Sequence, residues 1–187
     1  HVRSALLERL LDAAQVHHRH REPRRRPLGH ERAHHAQERR RRQDAVHDDS
    51  VTYELPYDPG KAYKISQGFH GKYSHFGCDE YAIDWKMPVG TPVRAARGGV
   101  VVGAKDDSNA GGPDKKFDWD ANYVLVKHSD GTYGHYVHLK QGGNAVKVGE
   151  TVRSGDLIGL SGNTGHSTGP HLHFAVFKAR DGKGRQT

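Results

Sequence analysis

The chain has 187 residues, a hydrophobic fraction of 34% and a formal net charge of +7. This length accommodates one domain with its own core, and the low hydrophobic fraction indicates that part of the chain does not pack. The single cysteine, Cys78, excludes an internal disulfide framework and an all-cysteine zinc site. No apolar run approaches the roughly 20 residues of a membrane helix, so no transmembrane segment is predicted.

Composition divides the chain near Ser50. Twelve of the seventeen arginines and no lysine lie in residues 1–50, whereas all twelve lysines follow them. The first segment is also rich in histidine and offers little apolar surface to offset the entropy of ordering. We therefore predict a disordered basic segment over 1–50 and a folded domain over 51–187. The basic segment fits a solvated tail better than an arm for nucleic acid or wall polymer, or a histidine metal store.

Short β-type runs, separated by Gly and Pro, fill the second region without a helical period between them. This texture predicts an all-β domain of antiparallel sheets with glycine-rich loops around a groove. Ser129-Asp130-Gly131 has the composition of a hairpin turn. Residues 148–156 indicate two turns around a very short strand. The predicted strands are Tyr63–Ser66, Tyr81–Trp85, Gly99–Val102, Tyr123–His128, Thr132–Leu139, Leu157–Leu160 and His171–Phe177.

Histidines and one aspartate mark a candidate metal site. His171 and His173 alternate with apolar residues in a strand-like run, so their side chains point to the same face. Asp84 lies in another apolar strand, nine residues after His75, where a buried carboxylate needs compensation by a metal, by backbone amides or by an Arg such as Arg94. Two histidines and one carboxylate leave a fourth position for water, as in catalytic zinc sites.

His135 and His138 form a third candidate region. They are three residues apart, so on one strand they face opposite sides, and only one is expected to share the metal cleft. The pattern alone does not select between them. Asn122 either orients a ligand histidine or closes a turn, and strand tyrosines such as Tyr136 pack in the core more often than they line a groove.

Six linked segments resemble the lysostaphin-type, LytM-like family of zinc endopeptidases. They follow the order of that family over roughly residues 60 to 178. The segments are Ser74-His75 with Tyr81–Trp85, Met87–Val93, Tyr136–Leu139, Val146–Gly149, Ile158–Gly165 and Gly169–Phe174.

The resemblance implies one zinc ion per domain, held by His75, Asp84 and His173, with His138 and His171 as the catalytic histidines. The simpler family spacing points to Asp79, but Asp84 keeps the register with Met87, and His138 fits its motif better than His135. The implied activity is hydrolysis of peptide cross-links in bacterial peptidoglycan by a metal-activated water. The implied location is the cell envelope, either periplasmic or secreted, with a peptidoglycan peptide as partner and no specific nucleic acid.

Two other function classes are weighed against this one. A catalytically silent relative that binds the wall or regulates an amidase would be favoured by a substitution at one of the five positions, and none is substituted. A lipoyl or biotinyl carrier needs a lysine within Met-Lys on a hairpin tip, and no lysine has that context. The remaining histidines His70, His128 and His166 are expected at the surface or in loops, Cys78 is not expected to bind zinc, and the domain is expected to lack a final strand.

Overall fold

The computed structural model describes residues 50–180 and 184–186. The predicted disordered segment, apart from Ser50, lies outside the described residues. The strands are β1 Ile65–Gln67, β2 Ile83–Trp85, β3 Pro92–Arg94, β4 Gly99–Lys105, β5 Gly111–Gly112, β6 Tyr123–Lys127, β7 Thr132–Val137, β8 Thr151–Val152, β9 Leu157–Leu160, β10 Gly165–His166, β11 Leu172–Arg180 and β12 Gly184–Gln186.

Helical structure in the described residues includes two short 3-10 helices, Gly77–Asp79 and Lys115–Phe117. No helix in these residues has the length and apolar character that a membrane span requires.

An eight-stranded antiparallel sheet organises the domain, in the order β1-β2-β11-β7-β6-β4-β8, with β12 paired to the far end of β11. Two small sheets flank it, antiparallel β3-β9 and parallel β5-β10. The all-β prediction is therefore confirmed, and among the described strands the only parallel pairing is the two-residue pair β5-β10. The hairpin prediction is also confirmed, because β6 and β7 pair antiparallel across Gly131, whose φ is 82°.

The central sheet packs apolar side chains on both of its faces. One face carries the main core, in which Trp85, Tyr136 and Phe174 lie together. The opposite face carries a smaller cluster that includes Tyr123, Tyr133 and Phe177. Because side chains alternate along a strand, β2, β7 and β11 each place every second residue on this second face.

Four short strands differ from the sequence prediction. The strands β3, β5 and β10 were not predicted, since each has only two or three residues and depends on pairing with a distant segment. The strand β12, which pairs with the end of β11, was not predicted either. His128 lies in the loop after β6, as expected, but it is buried rather than at the surface: it is 2% exposed, and its Nδ1 lies 2.9 Å from the Gly98 carbonyl oxygen. Tyr133 and Tyr136 pack in the interior.

Candidate metal centre and groove

A groove of about 350 Å³ runs across one end of the central sheet. The ends of β1, β2 and β11 form part of its wall, and the loop 166–171 forms another part. Asp84, His138, His171 and His173 all line this groove.

The strand register brings Asp84 and His173 together. β2 and β11 pair antiparallel with Asp84 directly opposite His173. On β2, Trp85 turns into the main core, so Asp84 turns to the other face of the sheet. Nδ1 of His173 lies 2.9 Å from Oδ1 of Asp84.

His75 reaches the same point from an irregular turn. Its backbone N–H donates to Gly71, and its ring Nδ1 lies 2.8 Å from the carbonyl oxygen of Gly68. A carbonyl oxygen can only accept, so Nδ1 carries the proton and Nε2 keeps its lone pair. That Nε2 is buried and has no hydrogen-bond partner among the described residues, although Oδ2 of Asp84 lies 3.1 Å away.

One ligand atom from each of His75, Asp84 and His173 lies within 4.8 Å of the other two. His75 and Asp84 are 1% and 6% exposed, so water cannot compensate their polar atoms fully. Burial by itself would raise the pKa of Asp84, but the imidazoles of His173 and His75 and the charge of His171 hold that pKa well below its usual value. The cluster therefore holds an ionised carboxylate and favours a cation.

His138 lies just beyond β7, and its left-handed backbone (φ 65°) turns its side chain toward the groove. Its Nδ1 donates to the Thr164 carbonyl oxygen at 2.6 Å, and its ring centroid is 4.4 Å from that of His171. His171 in turn donates from Nδ1 to the Gly169 carbonyl oxygen at 2.8 Å. Both histidines thus present Nε2 as the unprotonated nitrogen.

Burial lowers the pKa of both groove histidines. For His138 the charges of His171 and His173 add to the effect of burial, and its pKa lies well below the ordinary value. For His171 burial outweighs the attraction of Asp84, so its pKa is also lowered. Both imidazoles are neutral near pH 7 in the metal-free protein, which leaves each able to accept a proton.

Among the described residues, the alternatives Asp79, Arg94 and His135 are not part of the cluster of His75, Asp84 and His173. Asp79, at the end of the 3-10 helix Gly77–Asp79, has its Oδ1 3.7 Å from Nε2 of His173, the nitrogen on the outer side of that ring. Arg94 pairs with Asp58 at 2.7 Å. His135 stands opposite Ala175 on the same sheet face as His173, but it is buried.

Asn122 is fully buried, and its side chain bonds to Ser108 and Leu139. Its side chain therefore links the backbone at Ser108 to the backbone at Leu139, next to His138.

Sequence reasoning missed two polar residues that hold the groove. Ser167 contacts His171 through an Oγ to Nδ1 distance of 3.1 Å. Gln67, the last residue of β1, donates from Nε2 to Oδ2 of Asp84 at 3.1 Å. Neither residue belongs to a recognisable motif, because both contacts depend on how distant segments pack.

The model of Peptidase family M23 matches residues 79–185, which are more than half of the chain and include Asp84, His138, His171 and His173. Peptidoglycan DD-endopeptidase ShyA of Vibrio cholerae is 37% identical over 124 residues, which are 64% of this chain and 26% of that protein. The chain spans between 24% and 29% of the length of three curated relatives that it matches.

Two solved structures have the same fold and sequences that are 30% and 35% identical to this chain. The catalytic domain of lysostaphin from Staphylococcus simulans is 35% identical, with a TM-score of 0.50 over 66% of this chain and 87% of that one. A zinc containing peptidase from Vibrio cholerae is 30% identical, with a TM-score of 0.51 over 67% of this chain and 36% of that one. By its motifs, its sheet and these matches, the chain belongs to Peptidase family M23.

Proposed function

We propose that this chain is a zinc-dependent endopeptidase that hydrolyses peptide cross-links of bacterial peptidoglycan, in the cell envelope or outside the cell. The observation that carries the proposal is the meeting of His75, Asp84 and His173 in a groove beside His138 and His171. The relative ShyA is named a peptidoglycan DD-endopeptidase, and a structural neighbour is described as zinc containing.

The donor set fits one zinc ion. Two imidazole nitrogens and a carboxylate oxygen are ligands of catalytic zinc sites, which keep a further position for water. The buried Nε2 of His75 offers its lone pair toward the centre of the cluster, because Nδ1 is committed to Gly68. His75, Asp84 and His173 would hold the ion.

When bound, zinc lowers the pKa of a coordinated water toward about 7 and polarises the peptide carbonyl. The chain supplies the proton transfers. His138 and His171 have their Nδ1 atoms fixed by backbone carbonyls, so each ring presents Nε2 to the groove at a set orientation. One imidazole takes the proton of the attacking water on Nε2 and passes it to the leaving amine, and the other, once protonated on Nε2 from solvent, donates a hydrogen bond to the developing negative oxygen.

The test is release of soluble fragments from purified peptidoglycan by the full chain, with zinc and after chelation. We expect zinc-dependent release that a His173→Ala variant loses together with zinc binding. The control is His70→Asn, which removes an exposed histidine and tolerates the left-handed backbone there (φ 57°). Mass analysis of the fragments identifies the bond that is cleaved.

Failure to bind zinc in the wild-type chain would overturn the metal site. If folded protein binds zinc but releases no fragments, the assignment as a peptidoglycan hydrolase would be overturned, and a catalytically silent, wall-binding relative would be favoured.

A further inference from the structure

The side chain of Gln67 lies between the two segments that carry His75 and Asp84. β1 and β2 pair antiparallel with Gln67 opposite Asp84, after a register shift between Ile65 and Gln67. Gln67 is half-buried and lines the groove. Gln67 is thus paired with Asp84, one proposed ligand, across the sheet, and it lies eight residues before His75, another proposed ligand, in the chain.

Every hydrogen-bonding position of the Gln67 amide is occupied. Nε2 donates to Oδ2 of Asp84 at 3.1 Å and to Oγ of Ser74 at 2.8 Å. Oε1 accepts from the backbone N–H groups of Tyr73 and Ser74 at 3.0 and 3.2 Å. An amide has two N–H donors and two acceptor lone pairs, so this set is complete. The reverse orientation would place its oxygen against the carboxylate, which fixes how the amide lies.

These bonds join the two ligand-bearing segments. His75 directly follows Ser74 in an irregular turn, so its position depends on what anchors that turn. The next residue after Gln67, Gly68, accepts the Nδ1 proton of His75. The dipeptide Gln67-Gly68 therefore holds the turn, the ring orientation of His75 and the carboxylate of Asp84 at once.

Gly71 provides the space that the Gln67 side chain needs. A Cβ atom at Gly71 would lie 2.1 Å from Cγ and 2.7 Å from Cδ of Gln67. These atoms lie in the middle of the side chain, so Gln67 would have to move as a whole. Gly71 has no positive φ, and an alanine there is acceptable to the backbone itself.

We propose that Gln67 is a positioning residue that sets the arrangement of His75 and Asp84 for metal binding. The inference rests on the proposed zinc site. Groups that hold metal ligands through hydrogen bonds typically change metal affinity 10- to 100-fold when they are replaced. Gln67 holds one ligand directly and the other through its turn, so its loss increases the disorder that metal binding must remove.

The experiment measures the zinc dissociation constant of the full-length chain by competition with a chromogenic chelator. Gln67→Met keeps the approximate length of the side chain and removes all four hydrogen bonds. Gly71→Ala retains the Gln67 residue but displaces its side chain, because the added Cβ would clash with Cγ and Cδ of Gln67. The matched control is Gln141→Met, because Gln141 is exposed and bonds only to the Asp107 carbonyl among the described residues.

We expect zinc affinity to fall 10- to 100-fold in both Gln67→Met and Gly71→Ala, and to stay unchanged in Gln141→Met. The absorption spectrum of bound Co²⁺ should also change in the first two variants, which a loss of stability alone would not cause. Melting of the metal-free proteins shows that each variant is folded.

A zinc dissociation constant within twofold of wild type for a folded Gln67→Met or Gly71→Ala variant would overturn the inference. If wild type binds zinc and cleaves peptidoglycan while both variants equal it, only the role of Gln67 fails. If wild type binds no zinc, the proposed function itself fails.

Discussion

The histidines around the groove differ in which ring nitrogen is available. In His75, His138 and His171, Nδ1 faces a backbone carbonyl oxygen, so Nε2 is the free nitrogen. In His173, by contrast, Nδ1 faces Asp84. All four residues carry the same imidazole ring, and the group beside Nδ1 of each ring decides which nitrogen is available.

Replacing His138 or His171 by alanine should separate catalysis from metal binding. We expect both variants to retain about one zinc per chain, because neither ring belongs to the convergent set of His75, Asp84 and His173. Their rate of hydrolysis should fall by about 10²- to 10⁴-fold, the usual contribution of general acid–base catalysis. Metal analysis and kcat on a soluble peptidoglycan fragment measure the two effects. Loss of zinc from either folded variant would contradict the assignment.

Residues 161–171, a loop that includes the two-residue strand β10, help to place the groove side chains. Isolated bridges connect Ser161 to Leu139 and Gly162 to His171, which ties this loop to the ends of β7 and β11. Thr164 supplies the carbonyl that accepts from His138. The loop is therefore a structural part of the groove rather than a simple connection.

Gly165→Ala should distort this loop. Gly165 has a φ of 80°, and a Cβ there would lie 2.5 Å from Cβ and 2.7 Å from Cα of Ala121. The left-handed backbone and the clash together should cost at least 1–3 kcal/mol of folding free energy, with reduced hydrolysis because Thr164 and His138 move. Urea denaturation measures the first effect and fragment release the second.

The matched control in the same loop is Gly169→Ala. An added Cβ at Gly169 meets nothing within 4 Å, and this glycine has no positive φ. It should change stability by less than about 0.5 kcal/mol. Equal effects of the two substitutions would show that the steric argument is wrong.

For the molecule as a whole, buried neutral histidines should govern the loss of stability in mild acid. Burial lowers the pKa of His128, His138 and His171, and it lowers the pKa of His135 to about 3, with a smaller contribution from the charge of His173. The unfolded chain takes up these protons near pH 6.5. Between that pH and the folded pKa the unfolded state binds more protons, so stability falls as pH falls.

His135→Leu should make the metal-free protein less sensitive to acid. His135 packs edge-on against Tyr123 and Phe177, and leucine of similar volume keeps these contacts with the two rings. One proton contributes about 1.4 kcal/mol per pH unit, so the wild type should lose up to about 3 kcal/mol more than the variant between pH 6.5 and 4. Urea denaturation across this pH range tests the slope. Parallel curves for the two proteins would contradict the prediction, and His70→Asn is the control.

Local patterns in the sequence were sufficient for most strands of the central sheet and for part of the site. Alternation predicts that His171, directly before β11, and His173 point to one face, and an apolar strand around Asp84 indicates a compensated carboxylate. The hairpin at Gly131 follows from the conformational freedom of glycine. These features depend on neighbouring residues in the chain, because alternation and turn chemistry are properties of a few consecutive residues.

Other features depend on the tertiary structure. Alternation alone would keep His138 off the face that carries His135, but β7 ends at Val137 and the left-handed backbone of His138 turns it into the groove. The meeting of His75 with Asp84 depends on an irregular turn that Gln67 anchors. Strand register and loop conformation come from contacts between distant segments. The sequence by itself therefore determined which residue types are available for the site, and tertiary packing decided which of them meet.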